Sequence, residues 1–219
     1  MNDDQQHQRL LNNSLVFKIS RVMFRIALPF LGGLRVSGHE NIPLTGPVII
    51  CPNHTSDLDP VVICAGTDRP DLNALAKSDL FEIPVMGKYF HLIGATPVVR
   101  DSPDRGALRI AESILRAGRM LLVFPEGRTS KTGQLADVQL GAAMLALKTC
   151  TPIIPCGIRG TRNILPYGKV IPHFAGGGVT VNYGKPIYPS RYEEMPHRLA
   201  QRTMAADLRT EIAGIIGQS

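Results

Sequence analysis

No tryptophan occurs in the 219 residues, and aromatic residues make up only 5% of them. That scarcity argues against a base-stacking nucleic-acid platform. Cysteine is sparse as well, at four, and no Cys-x-x-Cys pair exists. The apolar surroundings of Cys51, Cys64, Cys150 and Cys156 predict reduced core thiols in a cytosol-facing chain, without a disulfide framework. The opening Met1-Asn2-Asp3-Asp4-Gln5-Gln6-His7 lacks a basic stretch, so no signal peptide is expected. Walker A, Gly-x-Gly-x-x-Gly and Gly-x-Ser-x-Gly patterns are all missing, which removes the familiar nucleotide-binding and serine-hydrolase signatures.

What is present is a moderately basic chain with a formal charge of +6, 44% hydrophobic and 19% charged residues. Such a composition is neither disordered nor collagen-like nor that of a polytopic membrane protein. The length suits one domain with a full hydrophobic core.

The positive charge is uneven. Residues 1–35 carry Arg9, Lys18, Arg21, Arg25 and Arg35 against Asp3 and Asp4. From Leu15 to Leu34 the chain is long and apolar enough to suggest a membrane span. However, it contains three cations, each costing roughly 2.5–3.5 kcal/mol near a bilayer centre. Ser14, Lys18, Arg21 and Arg25 step by four, three and four, so they share one helical stripe. Val16, Ile19, Val22, Met23, Phe24 and Ile26 fill the rest of the circumference. The pattern predicts an amphipathic helix lying in the headgroup region, its cations toward anionic lipid. Pro29 and Gly32-Gly33 are expected to end it.

From residue 36 onward short apolar runs alternate with helical stretches. Strands are predicted at Pro47–Cys51, Leu72–Ala76, Ala95–Val99, Met120–Phe124, Ile153–Ile158 and Val179–Tyr183. Helices are predicted near 60–66, 79–91, 104–117, 135–148 and 196–216. This alternation points to a single α/β domain, a largely parallel sheet flanked by helices. In such sheets ligand sites gather beyond the carboxyl ends of the strands.

Three strand ends carry unusual residues. After Val48-Ile49-Ile50-Cys51 comes Asn53-His54-Thr55-Ser56-Asp57-Leu58-Asp59. A histidine there can act as a base whose second nitrogen is held by a carboxylate. Residues five apart on a continuous helix point about 140° apart, so a His54–Asp59 contact requires the loop to fold back. Asp59-Pro60 equally suits the start of a helix, with Asp59 as its N-cap. The second end is Gly94-Ala95-Thr96-Pro97-Val98-Val99-Arg100-Asp101. The third, Phe124-Pro125-Glu126-Gly127-Arg128-Thr129-Ser130, reads either as a plain turn or as an anion pocket built from an Arg fork, hydroxyls and backbone N–H groups.

Taken in order with Thr151-Pro152-Ile153-Ile154-Pro155, these segments resemble the four-block pattern of the 1-acylglycerol-3-phosphate acyltransferase family (glycerolipid acyltransferases). The resemblance runs from about residue 36 to 188. Together with the amphipathic pattern of the amino-terminal residues, it divides the chain into a membrane-associating helical segment over 1–35 and an α/β acyltransferase domain over 36–219. It further implies that His54 is the general base and Asp59 its orienting partner. Lys77, Arg100, Glu126, Gly127, Arg128 and Thr129 would form the acceptor-phosphate site. Two departures stand out. The family usually reads Thr-Arg-Ser where this chain has Arg128-Thr129-Ser130, and many members carry Asp at the position of Val99.

The implied reaction moves a fatty acyl group from acyl-CoA or acyl-carrier protein to the free hydroxyl of 1-acylglycerol-3-phosphate, giving phosphatidic acid in phospholipid biosynthesis. Another acceptor (a different lysolipid, an ornithine lipid, an isoprenoid alcohol) is the main rival, with a membrane-associated esterase or thioesterase behind it. A metallohydrolase would need more ligands than His54, Asp57 and Asp59 supply. The partners expected are the acyl donor, the lysophospholipid and an anionic membrane on its cytoplasmic face. No cofactor, metal or nucleic acid is expected.

Overall fold

The computed structural model describes residues 33–82, 95–98, 105–169, 171–173 and 177–218, together with Ile19, Val22, Met23, Ile26 and Gly87. Its strands are β1 (Leu34–Ser37), β2 (Val48–Pro52), β3 (Leu72–Lys77), β4 (Thr96–Val98), β5 (Met120–Leu122), β6 (Ile153–Arg159) and β7 (Val179–Tyr183). Its helices are α1 (Asp59–Gly66), α2 (Arg105–Arg116), α3 (Gly141–Thr149), the short α4 (Thr161–Ile164) and α5 (His197–Ile216).

Strand β2 is apolar at successive positions because both its faces are covered. Every residue in it is buried. Ile49 and Cys51 join one cluster with Leu121 and Ile153, under Ala111 and Leu115 of α2, Ala143 of α3 and Leu208 and Ile212 of α5. Val48 and Ile50 point the other way, into a cluster with Met120, Leu122 and Ile154 beneath Val62 and Ile63 of α1. Alternate side chains of a strand project to opposite faces, and here both faces are core. β7 keeps the half-buried alternation of a strand nearer the edge.

The sheet order is β1-β7-β6-β2-β5-β3-β4. All neighbouring pairs are parallel except β6 with β7. Thus the fold is one α/β domain with a largely parallel sheet between helices, as expected. From β2 the chain passes over one face through α1 to β3, beyond β5. From β5 it returns over the other face through α3 to β6, beyond β2. The connections therefore diverge between β2 and β5, and in open α/β sheets it is at the carboxyl ends of such strands that ligand sites gather.

Several local expectations change. The four-residue β1 was not evident in the sequence; it pairs with β7 at the edge. The helix expected from 135 begins at Gly141, since residues 134–139 bond to the site and to Gln218 instead. Cys150 is exposed, not a core thiol, because it closes α3 in a left-handed conformation with φ of 51°. The helix expected over 79–91 lies largely outside the described residues. So does most of the amino-terminal helix, of which Ile19, Val22, Met23 and Ile26 are described as helical.

Candidate active site

The loop after β2 is fixed before it reaches His54. Asn53 uses its side-chain amide as a second backbone, donating from Nδ2 to the Ile158 carbonyl (3.0 Å) and accepting at Oδ1 from Ile158 N–H (2.7 Å). This extends the β2–β6 ladder past Pro52. A turn then closes with Asp59 N–H donating to the Ser56 carbonyl.

Asp59 occupies the first position of α1, and Leu58 holds the N-cap position without a side-chain bond. Its carboxylate does not cap its own helix but turns back on the loop. Oδ2 accepts from Thr55 N–H (2.7 Å), Ser56 N–H (2.9 Å) and His54 Nδ1 (3.0 Å). Oδ1 accepts from the Thr161 hydroxyl at 2.6 Å. Five residues of separation are bridged by folding the loop around the carboxylate. His54 and Asp59 are both buried, at 5% and 0% exposure. An ionised carboxylate only accepts, so Nδ1 carries the imidazole proton and Nε2 presents its lone pair.

The loop after β5 completes the setting. Phe124 stacks on the imidazole with ring centroids 3.9 Å apart. Thr129 places Oγ1 3.0 Å from Nε2. Ser130 N–H donates to the His54 carbonyl (2.7 Å), while His54 N–H donates to Glu126 Oε1 (2.7 Å). The second Glu126 oxygen accepts from Ala136 N–H (2.9 Å). Burial pushes the Glu126 carboxyl up, and the two N–H groups pull against it. The turn at Gly127 demands φ of +72°, and a Cβ there would lie 2.5 Å from the Gln139 amide nitrogen. The left-handed backbone favours glycine, whereas the Gln139 amide is the far end of an exposed, flexible side chain that can give way.

The side chain that sequence reasoning missed is Thr161. It is fully buried, follows β6, and reaches Asp59 across 102 residues of chain. Gly160 before it has φ of +90°, with a would-be Cβ 2.2 Å from the Gly178 carbonyl oxygen. A glycine is therefore required to start α4 and aim Thr161 at the carboxylate. The one sequence signal is position: Gly160-Thr161 ends the strand that pairs with β2.

The residues expected at the acceptor phosphate do not all lie together. Glu126 is turned inward, its carboxylate accepting from two backbone N–H groups. Thr129 is placed on His54. Gly127 and Arg128 are exposed at the outer rim of the same loop. Lys77 ends β3, next to β5, on the sheet edge that also holds His54. Arg100 lies outside the described residues, two positions beyond the end of β4.

Residues 33–159 match the sequence pattern of the acyltransferase family. A chloroplastic 1-acyl-sn-glycerol-3-phosphate acyltransferase of Brassica napus is 32% identical over 161 residues, covering 71% of this chain and 45% of that protein. The 1-acyl-sn-glycerol-3-phosphate acyltransferase of Bacillus subtilis is 24% identical over 196 residues, covering 89% of this chain and 94% of its own. The chain thus spans less than half of the plant protein and nearly all of the Bacillus one. The crystal structure of the 1-acyl-sn-glycerophosphate (LPA) acyltransferase PlsC from Thermotoga maritima superposes with a TM-score of 0.76 at 25% identity. That match covers 98% of this chain and 83% of the other. With its fold, its paired His54 and Asp59 and these likenesses in agreement, the chain belongs to the acyltransferase family.

Proposed function

We propose that the chain transfers a fatty acyl group from a thioester donor, acyl-CoA or acyl-carrier protein, to the free hydroxyl of 1-acylglycerol-3-phosphate. The observation that carries this reading is the His54–Asp59 pair at the carboxyl ends of β2 and β6, with Nδ1 tied to the carboxylate. As the acceptor oxygen attacks the thioester carbonyl, its proton passes to Nε2 and an O–C bond forms. Asp59 stabilises the imidazolium so produced. Collapse breaks the C–S bond, and the departing thiolate takes the proton from His54, which restores the neutral ring.

Lys77, Arg100 and Arg128 are assigned to the acceptor phosphate, on the positive charge of all three and on the planar fork of the two arginines. Membrane association on the cytoplasmic face is part of the same proposal. Ile19, Val22, Met23 and Ile26 fall at i, i+3, i+4 and i+7 of a helix, so they share one face, and each is more than half exposed. Alternating with Lys18, Arg21 and Arg25, they suit a helix lying in an anionic interface. Among the described residues no helix is long and apolar enough to cross a membrane.

Purified protein given labelled acyl-CoA or acyl-carrier protein and a panel of lysolipids should form labelled phosphatidate from lysophosphatidate in preference to the other products. Preferential labelling of another lysolipid, an ornithine lipid or an isoprenoid alcohol would replace the acceptor assignment.

A further inference from the structure

Every atom of His54 with a polar role is engaged within the chain. Nδ1 meets Asp59, the backbone N–H and carbonyl meet Glu126 and Ser130, one ring face meets Phe124, and Nε2 meets Thr129. Because Nδ1 is the donor toward Asp59, Nε2 is an acceptor and the Thr129 hydroxyl donates to it. Both residues are buried, Thr129 at 7% exposure. The backbone beside it is anchored, as the neighbouring Ser130 bonds through N–H to the His54 carbonyl and through Oγ to the Gln134 carbonyl (2.8 Å). The β-branched Thr129 side chain is itself stiff about χ1. The order Arg128-Thr129 thus sets a hydroxyl inward on the base and a guanidinium outward.

We propose that Thr129 controls how the acyl group is divided between the lipid acceptor and water. The inference rests on the acyl-transfer reading of the site. A bare His54 would serve both oxygens alike. With water, one proton moves to Nε2, the water oxygen bonds to the thioester carbonyl carbon, the C–S bond breaks, and the thiolate leaves with the proton from His54. The products are a free fatty acid and a thiol. Transfer to the acceptor differs only in the attacking oxygen. Any oxygen that reaches Nε2 must first displace the Thr129 hydroxyl. A bound acceptor has contacts along its chain and headgroup to offset that displacement, whereas water has none. Thr129 therefore holds back hydrolysis more than transfer.

The test uses the full chain with Thr129→Val, which keeps the shape and removes the hydroxyl. Thiol release from acyl-CoA, and from acyl-carrier protein in a second arm, is followed without acceptor. It should rise about tenfold over wild type, the order expected for losing one hydrogen bond that water must break. Thr129→Ser should return it to near the wild-type rate, and the rise should vanish when His54→Ala is added. Thr129→Ala gives the same readout should valine disturb the packing. Unchanged acceptor-free thiol release in folded Thr129→Val would overturn the proposal. So would joint loss of hydrolysis and transfer, which would place the hydroxyl in the chemistry itself. The assay needs no lysolipid, so an error in the acceptor appears separately, as wild-type protein forming no phosphatidate while thiol release still responds to Thr129.

Discussion

The two ends of the same strands bury polar networks of opposite character. At the amino edge Arg69 precedes β3, its guanidinium buried. It donates to both Asp71 oxygens and to the carbonyls of Pro43 (3.0 Å), Gly46 (2.8 Å) and Gly118 (3.4 Å). These bonds use all five of its N–H donors. Asp71 in turn accepts from Met120 N–H, so the loops entering β2, β3 and β5 are tied to one cation. Burial would raise the Asp71 carboxyl, but the Arg69 bond and charge hold it below its ordinary value. At the carboxyl edge Asp59 is also saturated, yet it serves a histidine whose Nε2 meets the Thr129 hydroxyl. A network that closes on itself stabilises; one that ends on an exchangeable partner can do chemistry.

Substitutions that strike one edge should therefore leave the other property alone. The largest effect on rate is expected from His54→Ala, since losing a general base typically costs ~10²–10⁴-fold. Its melting temperature should stay within a few degrees of wild type, measured by circular dichroism beside the transfer assay. A smaller loss should follow Thr161→Val. Removing a hydroxyl bond to a carboxylate costs about 1.5–3 kcal/mol, roughly 10–150-fold if its full effect falls on the reaction barrier. The loss should appear in kcat with KM little changed, and Thr161→Ser should recover most of it. A variant that melts early with kcat intact would instead make Thr161 purely architectural.

The smallest effect on rate, and the largest on stability, belongs to Arg69→Met. Breaking a buried ion pair from one side costs about 3–5 kcal/mol. Asp71 is 28% exposed, which points to the lower end of that range. Denaturant melts should show the loss while kcat stays within about twofold. The pH dependence follows from the lowered Asp71 carboxyl. Its stabilisation is present above the unfolded-state value of about 3.9 and fades as pH falls through the folded value. Arg69→Met should remove that part of the acid sensitivity.

The contrast between the edges was only half legible in the sequence. The central strands announced themselves as unbroken apolar runs, and His54 and Asp59 stood out at a strand end with family-like spacing. β1 did not, being four residues with Arg35 and Ser37 facing out. Thr161 carried no local mark, because its partner is supplied by strand adjacency and not by spacing along the chain. The contacts of Glu126 were hidden for a similar reason: a loop carboxylate is charged on paper, and only the fold reveals two backbone N–H groups facing it. The Arg69 network is legible only as far as the nearby Asp71, since its other acceptors are the backbone carbonyls of Pro43, Gly46 and Gly118, which no side-chain pattern encodes.

The central claim is that His54 and Asp59 act as one base, and a double-mutant cycle on transfer to lysophosphatidate tests it most directly. His54→Ala, Asp59→Asn and the double variant are compared by kcat/KM. Residues that act as a unit are strongly non-additive. The double variant should thus be no more than about twofold slower than His54→Ala alone. Losses that multiply would mean that Asp59 contributes independently of His54, and would contradict the account.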